Sequence, residues 1–265
     1  MVQLAFSKWE EVANLQFSEV TETEGGDVGD IRIAFSSVTD PWWGWTKLSS
    51  AGWANAHGDI WINPSMSTED WDAGSYSLSA MVHEIGHALG LDHPFDGISI
   101  PDGLDNRRYT VMSYTDPETY YWWNPEASKY DYLITGPMVY DIQAIQYLYG
   151  ANMEFHAGND TYNFASNVPF FKAIWDAGGK DTFDLSGFTK TCIVDLRPGA
   201  YSTLGFDDLD LTDSLGIAFD CYIENAKGGS GDDTIGGNAL ANNLFGNAGA
   251  DRLAGLGGKD TLLGG

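Results

Sequence analysis

His83, Glu84 and His87 hold the densest chemistry in the sequence. Histidines four residues apart on a helix project from one face, so both imidazoles can reach a single ion. Glu84 sits beside the first of them and can reach a metal-bound water without serving as a ligand. Gly90 can take the positive φ that ends a helix and turns the chain sharply. That turn brings His93 round as a third nitrogen. Three protein ligands leave coordination open for water, which is the arrangement of a catalytic zinc and not of a structural one.

The elements around these residues must hold them in place. Leu78, Met81, Val82, Ile85 and Leu89 recur at helical spacing and predict a helix from about Ser77 to Leu89, with Gly90 as its C-terminal cap. Ala5, Trp9, Val12 and Ala13 share one face of a helix at the start of the chain. Residues 30–35 and 58–63 alternate as strands do. Pro137 and Gly150 bracket a third helix, Pro at its start and Gly just past its end. Near Gly150 the composition shifts from helical periodicity to short apolar runs broken by Gly, Asn and Asp. The expected domains are therefore 1–150, carrying the histidines, and 151–265.

The tail repeats with a period of nine from Gly228. Ile235, Leu244, Leu253 and Leu262 hold one position of the block, and Asp233, Asn242, Asp251 and Asp260 another. This is the pattern of a calcium-binding parallel β-roll: glycines make tight turns, carboxylates and turn carbonyls hold the ion, and the apolar residue fills a narrow core. Gly229, Gly231, Asp233, Asn242, Gly246, Ala248, Asp251, Gly255, Gly257 and Asp260 are the ligand positions. Ions bridging turns two repeats apart would pair Asp233 with Asp251 and Asn242 with Asp260. The second block is degenerate, with Leu240 at a glycine position and Asn242 in place of aspartate, so its half-site is the weaker one.

The formal net charge of −25 argues against nucleic acid as a partner, since a negative surface repels phosphate, and it suits hard-cation binding. No run approaches the roughly 18 apolar residues of a membrane span, so no membrane insertion is expected. The first residues lack the basic and apolar regions of a secretory signal. Cys192 and Cys221 are too few for a disulfide scaffold, leaving one bridge or two free thiols open.

The run from His83 to Pro94, the segment Val111-Met112-Ser113-Tyr114, the stretch from Asp141 to Asn152 and the nonapeptide tail together resemble a serralysin, a secreted metzincin-type metalloprotease. The resemblance runs through nearly the whole chain. It implies an α+β metzincin catalytic domain followed by an all-β parallel β-roll of RTX nonapeptide repeats. It also implies hydrolysis of internal peptide bonds through a zinc-bound water, with Glu84 as general base. Met112 would be the methionine-turn floor, and Tyr114 a displaceable zinc ligand that stabilises the oxyanion. One catalytic zinc and several structural calcium ions follow. His156, Gly158 and Asp160 would form a calcium loop opposite Asp176, Gly178, Gly179 and Asp181, with Glu224 a further ligand. The segment 51–56 would be the edge strand that pairs with substrate; His57 is read as an exposed loop residue, and Trp42 and Trp43 receive no role. The implied partners are protein or peptide substrates, the implied state a monomer, and the location extracellular after type I-like export. Relative to the family, segments at both termini would be missing, and Asp92 and Thr115 depart from its usual residues. The competing readings are a non-enzymatic calcium-binding roll and an inactive protease-like fragment.

Overall fold

A computed structural model describes residues 2–22, 28–37, 42–46, 58–96, 100–101 and 103–265. The chain divides into two compact units: Met1–Pro137 with Ala144–Gly150, and Met138–Gln143 with Ala151–Gly265.

In the first unit the opening periodicity closes into α1 (Val2–Val12), which buries Ala5, Trp9 and Val12, with Ala13 buried just beyond. Its Trp9 indole donates to the Val82 carbonyl at 3.1 Å, fastening α1 to the next helix. Three short strands, β1 (Ile33–Phe35), β2 (Gly44–Thr46) and β3 (Ile60–Ile62), form a sheet in the order β1-β3-β2. β3 runs parallel to β1 and antiparallel to β2. The strand expected over 30–35 is shortened. Its Arg32 side chain turns instead to Asp59, Nε to Oδ1 2.9 Å. Next comes α2 (Tyr76–Ala88), whose stripe of Leu78, Met81, Val82 and Ile85 is buried. A hairpin of β4 (Tyr121–Asn124) and β5 (Lys129–Tyr132) was not legible in the sequence; Ser128 at φ 54 lies in its turn. α3 (Val139–Tyr149), of which the residues up to Gln143 belong to the second unit and the rest to the first, starts two residues later than Pro137, where the Asp141 carboxylate accepts from Met138 N at 2.8 Å. Gly150 follows at φ +81.

The second unit is built from short strands: β6 (Thr161–Asn163), β7 (Lys172–Ile174), β8 (Thr182–Asp184), β9 (Ile193–Asp195), β10 (Tyr201–Ser202) and β11 (Leu215–Ile217). β12 (Asn225–Lys227), β13 (Thr234–Gly236), β14 (Asn243–Phe245), β15 (Arg252–Ala254) and β16 (Thr261–Leu263) complete it. They stack as a five-stranded sheet β16-β14-β12-β8-β6 and a three-stranded sheet β15-β13-β9, while β10-β11-β7 forms a third. All pairs within the first two sheets are parallel, and Ile235 faces Leu253 as Leu244 faces Leu262. Two nine-residue repeats thus make one coil of the roll. Each coil supplies one narrow layer of core, so layers depend on their neighbours. Burial fades accordingly along the stack: Leu244 is fully buried, whereas Leu262 on the outermost strand is 44% exposed. The roll also reaches back beyond the visible repeat, through Phe183, Val194 and Ala226 in the same layers. Cys192 and Cys221 are both buried and free.

Candidate metal centre and active site

α2 begins at Ser75, whose hydroxyl accepts from Leu78 N at 3.1 Å and satisfies one of the open amides of the first turn. It ends where Gly90, at φ +99, lets Leu91 N reach back to the Gly86 carbonyl at 2.9 Å. This closure reverses the chain and delivers His93, whose Nε2 comes 3.0 Å from Nε2 of His87. His83 and His87 stand edge-on with ring centroids 4.6 Å apart. One ligand atom from each of the three histidines falls within 4.8 Å of the others.

The opposite ring nitrogens decide the tautomers. Nδ1 of His83 meets the Val111 carbonyl at 2.9 Å, Nδ1 of His87 the Leu91 carbonyl at 2.7 Å, and Nδ1 of His93 the Asp96 carboxylate at 2.9 Å. Each partner only accepts, so each Nδ1 must carry a proton. Burial pushes His83 down to about 3 and His87 to about 4, so both rings are neutral near pH 7 and their Nε2 lone pairs are bare. The bare Nε2 of His87 lies 3.0 Å from Nε2 of His93, close enough for one cation to engage both. Tetrahedral zinc with bonds of about 2.1 Å spaces its nitrogens about 3.4 Å apart, so the three residues fit it with little movement. The carbonyl and carboxylate partners are the kind of outer support that orients metal-binding imidazoles.

Glu84 lies on the same turn of α2, buried, with Oε2 accepting from the Thr46 hydroxyl of β2 at 2.7 Å. Burial raises its carboxyl to about 7, and the Thr46 hydrogen bond pulls the other way. Met112 is buried beneath the helix, and a Cβ at Gly86 would stand 2.7 Å from its sulfur and 3.1 Å from Trp9. Only glycine lets the methionine come this close. Tyr114, half exposed, lies with its ring centroid 4.4 Å from His93 and 5.6 Å from His83. Trp42 stacks on its outer side at 6.2 Å. His57 and the segment 51–56 lie outside the described residues.

In the second unit Asp160, Asp176 and Asp181 offer carboxylate oxygens within 4.8 Å of one another. His156, at φ 51, lies 3.3 Å from Asp160, and Gly179 presses against the Gly158 carbonyl, bringing the two loops together. Gly178 N donates to Asp176 at 2.8 Å, Asp160 N to Asp181 Oδ1 at 2.7 Å, and Asp181 N to Glu224 at 2.9 Å. Burial raises the carboxyls of Asp176, Asp181 and Glu224, Asp181 to about 6. Oδ2 of Asp181 is buried with no hydrogen bond, so a cation there would supply the partner it lacks.

The roll repeats that signature. Asp233 N donates to Asp251 Oδ1 at 2.9 Å and Asn242 N to Asp260 Oδ1 at 3.0 Å, each across two repeats, and Oδ2 of Asp251 is again buried and unpartnered. Asp233 itself accepts from Gly229 N at 2.7 Å, and Ala248 N meets the Gly229 carbonyl at 3.2 Å. Gly246 and Gly255 stand against the carboxylates of Asp251 and Asp260, Gly231 against the Lys190 and Thr191 backbone, and Gly257 N on the Asn238 carbonyl at 3.0 Å. The degenerate block differs in kind. Asn242 Nδ2 donates to the Glu224 carbonyl at 2.9 Å, and buried Asn238 Nδ2 donates to the Leu196 and Ile223 carbonyls at 3.0 and 2.8 Å. Those carbonyls can only accept, so amide N–H groups stand here where the turn of Asp251 leaves a carboxylate oxygen free.

The Matrixin family profile matches residues 1–100, and the profile described as Peptidase M10 serralysin C terminal matches residues 140–262. Serralysin of Proteus mirabilis is 34% identical over 89% of this chain and 53% of its own length. Metallopeptidase AprA of Pseudomonas marginalis is 37% identical over 90% and 54%, and Serralysin A of Dickeya chrysanthemi 36% over 88% and 51%. The chain belongs to the serralysin family. It spans about half the length of these relatives. In this serralysin-type chain several residues at the sites went unnoticed in the sequence. Thr46 stands 38 positions from Glu84 and leaves no local pattern. Asp96 is one acidic residue among many. Asn238 alone carried a signal: it is a polar residue at a glycine position of the repeat.

Proposed function

We propose that the chain is the zinc-dependent endopeptidase core of a secreted serralysin, with residues 1–150 catalytic and 151–265 forming a calcium-dependent roll. The observation that carries this is the convergence of three imidazoles, each with its Nδ1 already engaged and two of them, His83 and His87, kept neutral by burial, beside a buried carboxylate. His83, His87 and His93, with Tyr114 as a displaceable fourth, would hold zinc. Bound there, zinc acidifies water and polarises the scissile carbonyl. Glu84 takes the proton from the attacking water and passes it to the leaving amine. Thr46 ties down one Glu84 oxygen and leaves the other to meet that water. The Tyr114 hydroxyl donates to the oxyanion as the tetrahedral species forms. Asp160, Asp176, Asp181 and Glu224, and the turns around Asp233, Asp251, Asn242 and Asp260, are assigned to calcium. Protein and peptide substrates are expected, a monomer, and an extracellular location. Among the described residues no helix is long and apolar enough to cross a membrane.

The test is digestion of casein by the calcium-loaded protein with zinc restored or chelated. Glu84→Ala should keep one zinc per chain and lose several orders of magnitude in rate. A protein that binds calcium but no zinc would be the non-enzymatic roll instead. A zinc-loaded Glu84→Ala variant that still cleaves would remove Glu84 from the mechanism.

A further inference from the structure

Tyr114 needs a fixed position to act, yet it lies half exposed on a segment that is neither helix nor strand. The Ser113 hydroxyl donates to Asp105 and accepts from Thr115 N at 3.0 Å, but the carbonyls on either side of Tyr114 both accept from one residue. Arg107 N donates to the Thr115 carbonyl at 2.8 Å, and Arg107 Nε donates to the Ser113 carbonyl at 2.8 Å. One arginine therefore grips the residue before Tyr114 and the residue after it. Its Nη1 continues to Asp116 Oδ1 at 2.9 Å and to the Tyr132 hydroxyl at 3.0 Å, and that hydroxyl donates to the same Asp116 oxygen at 2.9 Å. The guanidinium also lies over the ring of Tyr76, 5.6 Å from its centroid. Tyr76 is the first residue of α2, the helix that carries His83 and His87. The turn bearing Tyr114 is thus tied to the frame of the histidines through one planar group.

We propose that Arg107 is the positioning residue for Tyr114, setting the place of the phenol over the histidines. The inference rests on the reading of Tyr114 given above. The Arg107 side chain is only 12% exposed. Taking its guanidinium out of water costs free energy that the pairing with the more exposed Asp116 only partly returns, so stability alone is a poor reason for an arginine here. Its geometry explains its presence. A flat fork with donors on two edges can meet the Ser113 carbonyl and Asp116 together, whereas a lysine ammonium is a single point.

Arg107→Lys keeps the charge and removes the fork. In the zinc- and calcium-loaded protein it should lower kcat about 10-fold with KM little changed, less than the ~10²–10³ of losing an oxyanion donor outright. Made in a Tyr114→Phe background, the same substitution should have almost no further effect on kcat. A second readout does not involve turnover. With copper(II) in place of zinc, the wild type should show a visible phenolate-to-copper band that Tyr114→Phe abolishes and Arg107→Lys weakens or shifts. Asp116→Asn guards against misfolding: it loosens the guanidinium while keeping a hydrogen-bonding partner, and it should show a smaller loss of the same kind. Equal losses from Arg107→Lys in both backgrounds, or an unaltered copper band, would overturn the positioning role while leaving Tyr114 in place. A Tyr114→Phe protein with unchanged kcat would overturn the reading of Tyr114, and that of Arg107 with it.

Discussion

Gly178 and Gly179 allow a controlled experiment on the loop that brings Asp176 and Asp181 together. Both take a φ open almost only to glycine, +139 and +152. An alanine at either position therefore carries backbone strain of about 1–3 kcal/mol. Their surroundings differ. A Cβ on Gly178 meets nothing within 4 Å, whereas a Cβ on Gly179 would fall on the backbone carbonyl of Gly158. A backbone group cannot swing aside as a side chain can, so the two loops must part in Gly179→Ala. Parting strains the bond from Asp160 N to Asp181 at 2.7 Å and that from Lys180 N to Asn159 at 2.9 Å. Hydrogen bonds to neutral and charged partners contribute about 1 and about 1.5–3 kcal/mol, so Gly179→Ala should cost at least about 2 kcal/mol more than Gly178→Ala. For calcium held between the loops this corresponds to about 30-fold weaker binding. Calcium titration by calorimetry, with thermal melts in calcium, measures both variants on one scale. Equal affinities and equal melting temperatures would show that the loops do not depend on this contact.

Thr46→Val removes a hydrogen bond that favours the Glu84 carboxylate, so the carboxyl rises further and the acid limb of kcat/KM moves to higher pH; an unmoved limb would mean that Thr46 does not act on the base. In metal-free protein, burial holds Asp181 near 6, above its ordinary 3.8, so the folded state keeps a proton the unfolded chain has lost. The second unit without calcium should therefore gain stability as pH falls from about 7 towards 5, measured as a rise in Tm, and a Tm that falls over this range would contradict the assigned shift. Calcium should also raise hydrogen-exchange protection across Gly228 to Gly265 while leaving α2 unchanged. Equal protection of the tail in chelator and in calcium would show that Asp251 and its partners do not rely on an ion.

Much of the molecule was legible because its determinants are local. The period of α2 and the offset of His83 from His87 belong to one helix, and Gly90 encodes its own turn. The nine-residue period names the layers of the roll, since every layer is built alike from adjacent residues. Tertiary structure decided what crosses the chain. Thr46 reaches Glu84 from another strand, Glu224 reaches Asp181 across 43 positions, and Asn238 stretches to Leu196 across 42. The hairpin of β4 and β5 escaped notice for the same cause: its pairing is selected by what covers it, and a four-residue strand is too short to show a period. Arg107 is the clearest case. In the sequence it is one of two adjacent arginines, and only the folded chain sets its fork against Ser113 and Asp116. A hydrogen bond depends on distance and direction in space, and residues far apart along the chain carry no trace of either.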